Sequence, residues 1–322
     1  MGTFGYLGRK VLHALLTLLF VISFNFVLFR WLPGDPVLLL ARSQHLSRED
    51  IAEQIANLGL DLPLPEQYLH YMGDTLTGNF GLSVRSSQPV LDVIGDRIVP
   101  TLRLVGLGTL FSTVLGVLIG IKGAWRRGSV FDKTSLYGSL ALYSMPEGWL
   151  GMLLLLLFGG SVFHLFPAGG VRSPGLEGFA YFVDIANHLV LPVLTLTLGY
   201  IGEYAIIMRA SLIEMMGEDF VQTARAKGVP DRLVRRHHAI PNAFLPTFTL
   251  IFLSFGFLLG GAIVVEFVFS YPGLGQLSIE AVNESDFPLL QALFLISSGA
   301  VILFNFLADI TYGYLDPRIK AV

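Results

Sequence analysis

From Val11 to Leu32 the chain strings together enough apolar residues to cross a bilayer, and it repeats the pattern several times. A hydrocarbon core about 30 Å thick takes roughly 20 helical residues to span. Further runs lie at Thr101–Ile121, within Ser135–Phe166, and at His188–Met208, Ala243–Val265 and Pro288–Tyr312. Inside lipid the backbone must satisfy its own polar groups, and a helix does so within each run. The composition leaves little for a soluble alternative: 14% of the 322 residues are charged and 53% hydrophobic, against roughly 25% charged in a soluble domain. The reading is an all-α membrane protein with six transmembrane helices.

Two runs need comment. Ser135–Phe166 is too long for one straight crossing, and Pro146 in YSMPEGWLG interrupts it, so span three is placed after that proline. The first run opens like a signal peptide, with Arg9 and Lys10 ahead of its apolar core. It lacks a small-residue cleavage site and is read as a retained anchor.

The basic residues orient the spans. Arg9 and Lys10 precede span one, and Lys122, Arg126, Arg127 and Lys133 lie between spans two and three. Arg209, Arg225, Lys227, Arg232, Arg235 and Arg236 lie between four and five, and Arg318 and Lys320 follow six. The alternate short loops hold only Arg172 between three and four and nothing basic between Phe267 and Phe287. Short cytoplasmic loops carry the excess of Lys and Arg, so both termini are expected in the cytoplasm. Residues 33–100 then form an extracytoplasmic insertion after helix 1, following residues 1–32 and preceding a core at 101–322. This insertion is too long for a plain connection. It offers a helix from Ser47, with Ile51, Ile55 and Leu58 at helical spacing, and a second one opening at Pro65.

The wettest stretch lies between spans four and five, in a loop taken as 209–242. Asp219 to Lys227 favours helix, Gly228 is a stop with Pro230 behind it, and Asp231 to His238 makes a second, Arg-rich helix punctuated by Pro241. Two short helices joined by a glycine turn suit docking, because small residues let another backbone approach and a charged rim sets register. A polybasic loop attracted to anionic lipid is the alternative, although lipid would not require the Ala and Gly spacing.

Sites of covalent or redox chemistry are hard to find. The chain has no cysteine, and of the seven histidines only His237 and His238 adjoin, pointing about 100° apart on a helix. GLGTLF at Gly106 has no following Lys-Ser/Thr, so this chain has no phosphate loop to hydrolyse ATP with. Gly159–Gly160 and Gly260–Gly261 read as close-packing points between helices. Glu147, Glu203, Glu266 and Asp309 all read as residues at span boundaries, not midplane proton carriers. Glu203 is the deepest, and it and Glu266 are the candidates for translocation or gating.

The hairpin also carries a resemblance. Aligned on Gly228, it is similar to the Glu-Ala-Ala-x3-Gly-x9-Ile-x-Leu-Pro loop of permease subunits in bacterial ABC importers. Gln222, Thr223, Ala224 and Gly228 fall on the first part, and His238, Ile240 and Pro241 on the second. Gln222, Thr223 and His238 depart from that pattern, but TARAKG with PNAFLP looks like the dipeptide/oligopeptide/nickel branch, as the B-type permease of its pair. LPGDP at Leu32–Pro36, LGLDLPLPEQYLHYMGDTLTGNFGLS, MRASLIEMM, VVEFVFSYPGLGQL and the closing DPR at Asp316–Arg318 agree in order.

The resemblance implies a permease subunit forming half of a translocation path for peptides or similar small solutes. It implies a cytoplasmic coupling-helix hairpin that meets the ATPase through Asp219, Gln222, Thr223, Ala224, Arg225, Ala226, Lys227, Gly228, Ile240 and Pro241. The implied partners are a homologous second permease in a heterodimer, two cytoplasmic ATP-binding subunits and an extracytoplasmic substrate-binding protein, in the inner membrane and without nucleic acid. No cofactor is expected in this chain, ATP and Mg belonging to the partners. A gradient-driven secondary transporter would show repeat symmetry and polar broken spans, and an intramembrane enzyme would need a nucleophile–base pair or metal cluster. Nickel chelates or sugars remain compatible substrates.

Overall fold

The computed structural model describes residues 3–31, 62–160, 162–258 and 262–315. The LPGDP and DPR blocks, Arg318 and Lys320, the helix expected from Ser47 and the Gly260–Gly261 pair lie outside them. In chain order the helices are α1 (Thr3–Trp31), α2 (Leu64–Thr77), α3 (Val90–Trp125), α4 (Val130–Tyr143) and α5 (Glu147–Leu154), which continues as a π-turn at Leu155–Gly159. There follow α6 (Gly178–Met215), α7 (Asp219–Ala226), α8 (Asp231–Leu233) with a π-turn at Val234–Ala239, α9 (Ile240–Leu258), α10 (Ile263–Val268), α11 (Leu274–Asn283) and α12 (Phe287–Leu315). Among the described residues five helices are long and apolar enough to cross a membrane, and a sixth crossing exists if α4 and α5 make one bent span.

That bent pair corrects the third span. α4 and α5 meet at 99°, and α4, or α5 taken with its π-turn, is about 20 Å long at roughly 1.5 Å per residue, short of a bilayer. Pro146 is the N-cap of α5, with φ −61° and ψ 130°. The residue before a proline is disfavoured in helical backbone, and here the helix stops at Tyr143 and restarts at Glu147. Elsewhere the helices outrun the apolar cores read from sequence. α3 and α6 reach 36 and 38 residues, because a helix does not stop where hydrophobicity does. Span five was expected to continue to Val265, whereas α9 ends at Leu258 and Val265 belongs to the separate α10. α11 fills a connection that the sequence reading had left empty.

The chain divides into two compact units. The first comprises Met1–Thr101, Gly256–Ile263 and Gly273–Val322. In it α1 lies antiparallel to α12. Lys10 pairs with Asp309 at 2.8 Å at one end, and Asn25 donates to the Gln291 carbonyl at 3.1 Å along the seam. Phe29 meets Phe287 edge-on with centroids 6.4 Å apart at the other end. Asp309 is therefore a paired residue at the Lys10 end. α2 joins through Tyr68 and Tyr71, whose rings pack on Phe26. Val90 and Ile94 of α3, Leu274, Leu277 and Ala281 of α11, and Leu289, Ala292 and Leu293 of α12 form its apolar core.

Above that core sits a polar cleft of about 260 Å³ lined by Ser83, Arg85, Arg97, Glu280 and Asp286 among others. Asp286 is wholly buried and caps α12, accepting from the Leu289 N–H at 3.2 Å and the Ser83 hydroxyl at 2.6 Å. Arg85 bridges Glu280 at 2.9 Å and Glu284 at 3.2 Å.

The second unit comprises Leu102–Phe255 and Val264–Pro272. Its spine is the seam between α3 and α6. Small residues recur every fourth position on α3, at Gly108, Ser112, Gly116, Gly120 and Ala124, and so share one helix face. A Cβ on Gly116 would lie 2.8 Å from the Ile201 carbonyl, and one on Gly120 2.6 Å from the Ala205 carbonyl. Only glycine allows that backbone approach, as in lipid-embedded helix pairs. On another face α6 packs against α4, with Gly202 set against the Ser139 carbonyl.

Candidate functional site

The Asp219–Pro241 hairpin rests on the basic end of this spine. Its first helix, α7, ends at Gly228, whose φ of +79° places it in the left-handed region. The Val229 N–H reaches back to the Ala224 carbonyl at 3.2 Å and the Gly228 N–H to the Arg225 carbonyl at 2.9 Å. These are the two bonds of a Schellman stop. Arg225 spans the turn to Asp231 at 3.3 Å, and the Gln222 amide donates to the Met216 carbonyl at 3.0 Å. The hairpin is thus closed by its own backbone and tied to the end of α6.

The second arm differs from the sequence reading. It is not a short helix ended by Pro241. It runs from Asp231 through the π-turn Val234–Ala239 straight into α9. Pro241 falls at the second position of α9, and the widened turn before it takes up the hydrogen-bonding register that a proline without an N–H would break. The hairpin and the fifth span are one continuous rod.

Val221, Ala224, Val234, Ala239 and Ala243 turn inward and share a buried cluster with Ala124 of α3 and Met208 and Leu212 of α6. Ala224 is 8% exposed, so its small side chain serves the hairpin's own seat and is not offered to a partner. Asp219, Gln222, Thr223, Ala226, Lys227 and Gly228 face outward with Pro241, while Arg225 and Ile240 are half-buried. Two residues the sequence reading did not single out, Phe220 and Leu233, stand 40% and 45% exposed on this otherwise basic surface. Apolar side chains beside cations on a knob of this kind are the ingredients of a protein-docking face.

Beneath the hairpin, the loop after α3 is locked to α6. Ser129 caps α4, its hydroxyl accepting from the Asp132 N–H at 3.2 Å. Asp132 accepts from the Gly128 N–H at 2.9 Å and takes Arg209 of α6 in a two-point fork, Nε at 2.6 Å and Nη2 at 2.9 Å. Asp132 is 3% exposed. Next to this basic end, Arg235 lies over the Trp125 ring at 5.1 Å and Lys122 over the Phe131 ring at 4.2 Å.

The two acids considered for translocation separate. Glu203 is half-buried on α6, where the hydroxyl of its neighbour Tyr200 bonds Glu147. Glu266, expected to close span five at its outer boundary, is wholly buried in α10. Burial pushes the neighbouring Tyr271 phenol up to about 12; Arg103 opposes that shift and Glu266 adds to it.

Comparison with known proteins bears on the whole chain. Residues 112–321 match the family described as "Binding-protein-dependent transport system inner membrane component", and residues 3–105 match its N-terminal counterpart. A probable peptide ABC transporter permease of Sinorhizobium fredii is 36% identical over 315 residues, covering 98% of this chain and 99% of that one. The dipeptide transport system permease protein of Escherichia coli K12 is 36% identical over 335 residues, 98% of each chain. The glutathione transport system permease protein of the same strain is 36% identical over 316 residues, again 98% of each.

Proposed function

Because this chain belongs to the inner-membrane components of binding-protein-dependent transport systems, and so is a transport subunit of an ABC importer and not itself an enzyme, we propose that it carries peptides and takes its drive through the Asp219–Pro241 hairpin. The names of its relatives support peptides as the substrate class: a dipeptide permease and a glutathione permease are equally similar to it over nearly their full lengths.

In this reading the basic end faces the cytoplasm together with both termini, and residues 33–100 face outward. A second, homologous permease completes the path as a heterodimer. Two ATP-binding subunits hold ATP and Mg and grip the hairpin, and an extracytoplasmic binding protein delivers the peptide. The observation that carries the coupling role is the hairpin's two-sidedness. Its inner face is seated in a core shared with α3 and α6, and its outer face presents Phe220 and Leu233 among cations. A knob built this way moves as the partner moves and passes the displacement to α6 at its start and α9 at its end. The cycle is a shift between inward-open and outward-open populations, biased by nucleotide in the partner.

Replacing Phe220 and Leu233 by Asp tests this reading. Both side chains are exposed, so the permease should still insert and pair. Co-purification of the ATP-binding subunits and nucleotide-driven peptide uptake should both fall at least tenfold. Retention of both at wild-type level would remove the hairpin from its coupling role.

A further inference from the structure

We propose that Asp132 and Arg209 are a positioning pair that makes α4 travel with α6, so that displacement arriving at the hairpin reaches the bent α4–α5 segment. The inference rests on the coupling role proposed for the hairpin and extends it to residues outside the loop.

The geometry sets this pair apart from the other ion pairs of the described residues. It is a two-point fork between guanidinium and carboxylate, at 2.6 and 2.9 Å, with the carboxylate side chain 4% exposed and the guanidinium side chain 21% exposed. Lys10 with Asp309, at 29% and 41%, and Arg225 with Asp231, at 35% and 71%, pair between more open groups; Arg85, 53% exposed, divides its contacts between Glu280 and Glu284; and Asp184 with His188 joins residues of one helix. A fork fixes orientation as well as distance.

Its place in the chain is also particular. Arg209 lies two turns before the end of α6, one turn below Leu212, which seats the hairpin. Asp132 sits in the first turn of α4 and at the same time closes the loop from α3, by accepting from Gly128 while its own N–H caps onto Ser129. One carboxylate therefore ties three helices at the point where the hairpin meets the bundle. Farther along, α4 is held to α6 by the backbone contact of Gly202 with Ser139. The fork fixes the orientation of the first turn of α4 on α6, and the packing of α4 and α5 along α6 continues beyond it. With the fork lost that packing remains, but the start of α4 and the loop from α3 are no longer held to the hairpin end of α6, and displacement there reaches α4 and α5 less completely.

The test uses the complete assembly of permease pair, ATP-binding subunits and peptide-loaded binding protein in proteoliposomes, with peptide uptake and ATP hydrolysis measured on the same vesicles. Asp132→Asn keeps the shape and removes the charge. ATP hydrolysis should stay within about twofold of wild type while peptide carried per ATP falls roughly tenfold. Arg209→Lys keeps a charge but not the fork and should fall between the two. Exchanging the partners, Asp132→Arg with Arg209→Asp, should regain at least a third of the lost uptake per ATP.

A purely structural salt bridge would lower uptake and hydrolysis together, through loss of assembled complex, and leave their ratio at the wild-type value; that outcome overturns the proposal. If Asp132→Asn does not assemble, the ratio measured for Arg209→Lys decides in the same way. Uptake per ATP lowered by Asp132→Asn and unaffected by the Phe220 and Leu233 replacements would instead retain the clamp and remove the hairpin as its source of motion.

Discussion

Substitution of Gly228 gives the most discriminating test of the hairpin's stiffness. A Cβ at this position would meet nothing within 4 Å, so the cost of adding one is entirely one of backbone conformation. At φ +79° an L-residue pays about 1–2 kcal/mol, and a β-branched one falls at the upper end or beyond, near 3 kcal/mol. Asn tolerates the left-handed region best of the non-glycine residues. The turn can escape the strain only by giving up its two reach-back bonds to Ala224 and Arg225, each worth about 1 kcal/mol net. The strain in Val thus matches or exceeds the bonds that hold the turn, and a shift of about 2 kcal/mol opens it roughly 30-fold more often. Membrane insertion should be unchanged, because the spans are untouched, whereas uptake per ATP in proteoliposomes should fall in the order Asn, Ala, Val, with Val effectively uncoupled. Wild-type uptake in Gly228→Val would refute the argument. Equal loss in Asn and Val would refute it differently, by showing that a partner surface excludes any side chain there and that backbone strain is not the cause.

Two further outcomes follow from packing. Gly120→Val drives a branched side chain into the Ala205 carbonyl, and overpacking of this kind costs about 1–3 kcal/mol or more; thermal unfolding in detergent should drop by several degrees, where the same change at Gly106, which meets nothing within 4 Å, should not. Asp286→Ala strands the Leu289 N–H and the Ser83 hydroxyl in a buried site, at about 1–3 kcal/mol for the unsatisfied groups; accelerated proteolysis or hydrogen exchange at the start of α12 checks it.

The small-residue stripe on α3 shows how a regular pattern can be overlooked. Adjacent glycines, Gly159–Gly160 and Gly260–Gly261, are the close-packing points the sequence suggests. Gly159 does approach Leu191, at 3.2 Å from a Cβ placed on it. The longer seam at Gly108, Gly116 and Gly120 is spaced by fours and twofolds of four, and it brings backbone against backbone. Spacing, not adjacency, decides which residues of a helix share a face.

Hydrophobic run length and the alternation of basic loops determined most of what this chain is: a helical membrane protein with a basic hairpin between its fourth and fifth spans. They do so because a bilayer admits few solutions and its thickness can be counted in residues. Glycine at 228 was legible for the same local reason, since a left-handed stop depends on the residue itself. Pro146 marked the break in span three, but tertiary structure alone decided its 99° angle, the continuity of the second hairpin arm with α9, the burial of Glu266 and the inward turn of Ala224. Each depends on what packs against a residue from elsewhere in the chain. The union of Asp132 with Arg209, 77 positions apart, is of the same kind, for no local rule connects a first-turn carboxylate to one arginine among the many at that end.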